Sequence, residues 1–195
     1  MTAFDPFPSD DAHPDKEPNE LRIGLGRARN LAVMDKAVLY GKGSSDPRAT
    51  FKVPGTAISL KSSTQTKTTD PTWKETFEVA LPKGPEGISW DLEVTLEDVD
   101  KVSSADAMGS FKVPLAPLAD HKVTKAWYPL EGSQGEVYLV LQWRHNPDLD
   151  FSPFEDADEK WAGKEPNELR IAAVQALGLA VADKNLLSAG ACSAR

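Results

Sequence analysis

Residues 90–109 read "WDLEVTLEDVDKVSSADAMG". Leu92, Val94 and Leu96 alternate with Asp91, Glu93 and Thr95. In an extended chain this sends three apolar side chains to one face and three polar ones to the other, the mark of a strand with one buried side. The alternation then runs into a loop that holds Asp98, Asp100 and Asp106. Two like charges about 4 Å apart repel by about 1 kcal/mol in water, and by more where solvent is partly excluded. The stretch therefore predicts a sheet, and a positive species among the carboxylates at the end of the strand.

Working outward, the same period of two recurs around residues 21–27, 49–53, 57–61, 76–81, 90–97, 110–113, 126–130 and 136–143. The last is the clearest, with Val137, Leu139, Leu141 and Trp143 on one face. Turn-forming runs separate the strands, among them "VPG", "LPKGPEG" and "LEGSQGE". Short strands of this kind with no helical period between them predict an all-β fold, an eight-stranded antiparallel β-sandwich over residues 19–147.

If consecutive strands reverse direction, the connections after strands one, three, five and seven share one end of the sandwich. The connection after the first strand, "MDKAVLYGKGSSDP", contributes Asp35 and Asp46. Five carboxylates, Asp35, Asp46, Asp98, Asp100 and Asp106, are thus expected to converge. A single surface aspartate is ordinarily a turn former or a solvated charge, and Asp35 alone reads that way. Five at matched loops need a counter-ion. Calcium accepts about six to eight oxygen ligands in flexible geometry, which suits short carboxylates on irregular loops. Zinc prefers His or Cys, and His13, His121 and His145 lack ligand spacing. The loop is not an EF-hand either, since the sixth position counted from Asp98 is Ser103 and not glycine.

The chain has 195 residues, 40% hydrophobic and 27% charged, with a net charge of −8. That balance argues against general nucleic-acid binding, which relies on Lys and Arg neutralising phosphates. Cys192 is the only cysteine, so no intrachain disulfide forms. The first residues lack the basic start and apolar stretch of a signal peptide, and the expected location is cytoplasmic. The longest apolar run, 169–184, is interrupted by Arg170, Gln175 and Asp183 and is too short to span a bilayer. "GKGSS" has the spacing of neither a nucleophile elbow nor a P-loop, and no enzyme activity is expected.

"KEPNELRI" stands at 16–23 and again at 164–171, and the likeness continues through "LAVMDK" at 31–36 and "LAVADK" at 179–184. A repeat of this length suits tandem domains rather than a solenoid. The expected organisation is an acidic, proline-rich disordered tail at 1–18, one complete domain at 19–147, a linker at 148–163 and the truncated start of a second copy at 164–195. The second copy keeps Asp183 in register with Asp35 but has Ala194 where Asp46 would be.

"NELRIGLGRARNLAVMD", "GKGSSDP", "DPTWKETFEVAL", "LEVTLEDVDKVSSADAMG" and "AWYPLEGSQGEVYLVLQW", in that order, resemble a C2 domain. The resemblance covers 19–147 and implies the second of the two C2 topologies, with "LRIG" first and "GEVYLVLQW" last, as in tandem-C2 membrane-tethering proteins. It implies Ca2+ held by Asp35, Asp46, Asp98, Asp100 and Asp106, with the carbonyls of Met34 and Val99 as further ligands. It also implies calcium-dependent binding to an anionic phospholipid membrane, with Val38, Leu39, Tyr40 and Val102 as membrane-contact residues. The protein would then be cytoplasmic and peripherally membrane-associated when calcium rises. Arg48 departs from the aromatic residue usual after "SDP". Lys52, Lys61 and Lys67 are too sparse to form a dedicated phosphoinositide patch. The alternative is a protein-binding module with structural calcium or none, or a regulatory fragment of a larger enzyme.

Overall fold

The computed structural model describes residues 4–7, 13–34, 43–84, 90–99 and 106–150. These contain eight strands: β1 (Glu20–Arg29), β2 (Pro47–Lys52), β3 (Ser59–Lys61), β4 (Thr72–Ala80), β5 (Asp91–Asp98), β6 (Asp106–Pro114), β7 (Thr124–Pro129) and β8 (Glu136–Arg144). They form two four-stranded antiparallel sheets in the orders β4-β1-β8-β7 and β3-β2-β5-β6. The first strand lies beside the last, as the second C2 topology requires. Short 3-10 turns at Ala116–Asp120 and Pro147–Leu149 complete the described part.

Alternation builds the core. Along β5 the residues are half-buried and buried in strict turn, so Leu92, Val94 and Leu96 enter the interior while Asp91, Glu93 and Thr95 do not. Leu21, Ile23 and Leu25 of β1 and Val137, Leu139 and Leu141 of β8 meet them from the other sheet. Aromatic pairs join the layers: Phe51 with Phe77 at 5.4 Å, and Phe111 stacked on Tyr128 at 5.1 Å. Buried Trp143 donates its indole N–H to the carbonyl of Leu81 at 2.8 Å, which satisfies the polar atom of a residue otherwise placed for its bulk.

Two strands are longer than their period suggests. β4 begins at Thr72, and its in-and-out alternation runs unbroken from there, but Glu75 stands on the same parity as Trp73 and Phe77 and interrupts the apolar period; the register against β1 also slips between Leu25 and Arg27, with Lys74 at φ 58°. β6 begins at Asp106 because a second irregularity between Leu96 and Glu97 shifts the parity, with Gly109 at φ 111°.

The ends of the domain hold more structure than composition indicates. Residues 1–18 are expected as a disordered tail, yet among the described ones Phe7 is 5% exposed. The Arg22 guanidinium lies 5.4 Å from the centre of the Phe7 ring, and Lys125 pairs with Asp5 at 2.5 Å. Pro and Asp read as disorder only while nothing apolar nearby has a surface to cover, and here Phe4 and Phe7 do. Past β8, His145 contacts Asp150 at 3.3 Å and Asn19 donates to the same carboxylate at 3.2 Å. The compact unit runs from Met1 to Asp150, and the linker and second copy from residue 151 onward lie outside the described residues.

Candidate functional site

β5 delivers the first site residue. Asp98 has the same parity as Leu92, Val94 and Leu96, so the pleat that buries those side chains also turns its carboxylate inward, leaving it 1% exposed. On one side of it Pro47 of β2 is its register partner, and on the other Asp106 of β6. Asp46, one residue before β2, donates its N–H to Asp98 Oδ1 at 2.5 Å. Three carboxylates thus come from neighbouring chain segments at one end of the second sheet. Asp46 is half-buried and Asp106 exposed.

The connection between β3 and β4 braces this end, a contribution that sequence reasoning missed. Asp46 Oδ1 accepts from the N–H of Lys67 at 2.7 Å, with Lys67 at φ 56°. Thr68 donates its N–H to Ser45 O at 2.8 Å, and Leu31 donates to Thr69 O at 3.0 Å. Asp70 accepts from the N–H of Asn30 at 3.0 Å. Ser45, fully buried, accepts from the N–H of Met34 at 2.9 Å and donates to Ala32 O, closing the base of the first loop across its own ends. Val99 donates to Asp46 O at 3.0 Å, which ties the base of the β5–β6 loop to the first. The visible signal was the polar run "TQTKTTDP", whose short side chains favour turns over strands.

Of the expected ligands, Asp46, Asp98, Asp106, Met34 and Val99 are described and gather at this end. Asp35 and Asp100 lie outside the described residues, as do the expected membrane-contact residues Val38, Leu39, Tyr40 and Val102. Among the described residues no three acidic, His or Cys side chains close into a metal-holding group. The donors present are all carboxylate or carbonyl oxygens, a hard set that suits Ca2+ better than zinc, which favours His and Cys. Val33 and Met34, at the base of the first loop, are 52% and 36% exposed, two of the large apolar side chains that the described surface leaves to solvent. They were not expected as membrane-contact residues. No described helix is long and apolar enough to cross a membrane.

A family model described as "C2 domain" matches residues 19–130. The chain belongs to the C2 domain family. Extended synaptotagmin-1 from Rattus norvegicus is 37% identical over 124 residues, covering 63% of this chain and 11% of that protein. This chain therefore spans a small part of the relatives it matches. A solved structure of two C2 domains of extended synaptotagmin 2 superposes with TM-score 0.57 at 25% identity, covering 66% of this chain and 42% of that one. A calcium-bound structure of the same two domains has TM-score 0.57 at 24% identity, covering 66% and 46%, and shows a shared fold. The C2 assignment accounts for the eight strands and their arrangement in two antiparallel sheets.

Proposed function

We propose that this C2 domain binds anionic phospholipid membranes in a Ca2+-dependent manner and serves as a membrane-targeting or tethering module rather than an enzyme. The observation that carries the reading is the register that sets Asp46, Asp98 and Asp106 side by side, with Asp98 almost wholly withdrawn from water. Burying a carboxylate is costly unless opposite charge and hydrogen bonds compensate, and a divalent ion supplies that charge. Asp35 and Asp100 would complete the set, with the carbonyls of Met34 and Val99. The calcium-bound state of the extended synaptotagmin 2 domains supports the choice of ion.

When bound, the ion reverses the local sign of the field and offers coordination positions to a lipid phosphate or carboxylate. The chain's own residues do the remaining work. Lys67 and Asp98 fix Asp46 from its two sides, so the donors are ordered before any ion arrives. Val33 and Met34 present apolar surface at the same end, and the loop-tip residues Val38, Leu39, Tyr40 and Val102 would add to it. Each such side chain contributes roughly 1.5–3 kcal/mol at full burial and less at partial depth.

The test is co-sedimentation with phosphatidylserine-containing liposomes, with calcium or with chelator, of the wild type and of Asp98→Asn. The amide keeps an oxygen for the Asp46 N–H but removes the charge. The wild type is expected in the pellet only with calcium, and the variant in neither condition. Equal pelleting in all four arms refutes the reading. Binding unaffected by chelator, with no calorimetric heat on calcium addition, supports a protein- or lipid-binding module without the ion.

A further inference from the structure

The outer face of the β4-β1-β8-β7 sheet carries a bare strip. Gly24 and Gly26 of β1 both point away from the core, because Leu21, Ile23 and Leu25 take the inner positions. The strip is filled by the N-terminal segment "FDPF", which runs antiparallel to β1. A Cβ at Gly24 would meet Pro6 Cγ at 2.9 Å and Phe4 Cε1 at 3.2 Å; one at Gly26 would meet Tyr138 Cδ1 at 2.8 Å and Phe4 Cδ1 at 3.2 Å. Phe7 seats beneath Arg22, and Asp5 pairs with Lys125. Val140, on this outer face of β8 and opposite Gly24, is fully buried. The spacing Phe-x-Pro-Phe is what the surface reads: two rings three residues apart with a rigid proline over the glycine between them.

The same spacing occurs once more in the chain, as "FSPF" at 151–154, ahead of the second "KEPNELRI". The repeat unit therefore includes the segment as well as the strand. The strand positions, however, differ. Aligned with Gly24 and Gly26 are Ala172 and Val174, and aligned with Arg27 and Arg29 are Gln175 and Leu177. The spacing measured on β1 has no room for the side chains of Ala172 and Val174 beneath a proline and a phenyl ring. The sequence thus holds two Phe-x-Pro-Phe segments and one strand with the glycine pair. We propose that this strip is a docking groove for Phe-x-Pro-Phe peptides, and that its exchangeable occupant is the segment 151–154 of a second copy of this chain. Asp150 sits beside Asn19 at the Glu20 end of β1, while the first ring of a docked segment lies over Gly26, farther along a strand that rises about 3.3 Å per residue, so residue 151 of the same chain does not reach that place while this contact holds and the occupant comes from a second copy. In the motif Ser152 corresponds to Asp5, which pairs with Lys125, so the resident segment has an ion pair that its competitor lacks.

The probe is a fluorescein-labelled peptide of residues 148–158, followed by polarisation in chelator, where the lipid-binding reading plays no part. The protein is the full chain carrying Phe4→Ala, Phe7→Ala, Phe151→Ala and Phe154→Ala, checked for native circular dichroism. Emptying the groove is expected to tighten peptide binding by about tenfold or more relative to the chain that retains Phe4 and Phe7. The same peptide with both phenylalanines replaced by alanine is expected not to bind, a control that does not depend on protein folding. In sedimentation, the chain with only Phe4→Ala and Phe7→Ala should self-associate, and the fourfold variant should be monomeric. Peptide binding that ignores Phe4 and Phe7, binding by the alanine peptide, or a double variant that stays monomeric each overturns the proposal.

Discussion

Phe7→Ala tests whether the leading segment belongs to the folded domain. Phe7 is 5% exposed, and burying a phenyl ring fully contributes roughly 1.5–3 kcal/mol. The contact with Arg22 adds about 0.5–1 kcal/mol. An interior Phe→Ala costs about 3–5 kcal/mol, but that figure includes a cavity that the surrounding core cannot close. Here the segment is able to peel away and recover its backbone entropy, so the loss is capped by the free energy of docking the segment itself. The expected destabilisation is about 1–3 kcal/mol, read from urea unfolding at constant m-value. Two further results follow from the cap. Phe4→Ala added to Phe7→Ala should cost less than it does alone, because both act on one docking event. Asp5→Asn should cost under about 1 kcal/mol, since both partners of the Lys125 pair are substantially exposed. A Phe7→Ala change within about 0.3 kcal/mol of wild type would refute the packing of this segment.

Glu20 gives the domain a defined sensitivity to acid. Burial pushes its carboxyl upward, but hydrogen bonds from Asn146 and Arg144 and the charges of Arg144 and Arg22 outweigh it and hold it below the ordinary 4.5. The unfolded chain therefore takes up this proton first as pH falls, so the stabilisation is complete above the ordinary carboxylate range and lost as pH drops below it. Urea midpoints measured between about pH 3 and 7 should fall more steeply with acid in the wild type than in Glu20→Gln; parallel curves would contradict the arrangement. Gly109→Ala should destabilise by roughly 1–3 kcal/mol, because φ is 111° and a Cβ would stand 3.0 Å from Glu131 O. An unchanged melting temperature would show that the β5–β6 bulge relaxes freely.

The eight strands were visible in the sequence because most of them bury one face, and burial imposes a period of two on a pleated chain; β3 and β7, whose residues are only half-buried or exposed, were marked instead by the turn-forming runs that bound them. Asp98 was legible for the same reason: it continues the parity of Leu96 into the loop. The N-terminal halves of β4 and β6 were not: Glu75 takes the place of an apolar residue between Trp73 and Phe77, and the register slip at Leu96/Glu97 sets Met108 out of parity with Phe111. The bracing by Ser45, Lys67 and Asp70 joins polar side chains to backbone groups distant in the chain, pairings that the polar run "TQTKTTDP" does not specify. The packed leading segment was hidden by its prolines and acids. Its trace lay elsewhere, in the "GLG" of β1, where a strand that offers bare backbone outward needs something to lie upon it.

The adjacency of β1 and β8 has a mechanical consequence. Glu20 lies opposite Arg144 and Arg29 opposite Glu136, so the two strands meet the rest of the chain at the pole remote from the acidic loops. Tension applied between Asn19 and Asn146 loads that first rung alone, then the next, like a zipper opened from its tab, rather than shearing all the rungs at once. A domain strung this way yields at low force, and under stretch it would release length before the grip of its far pole is strained.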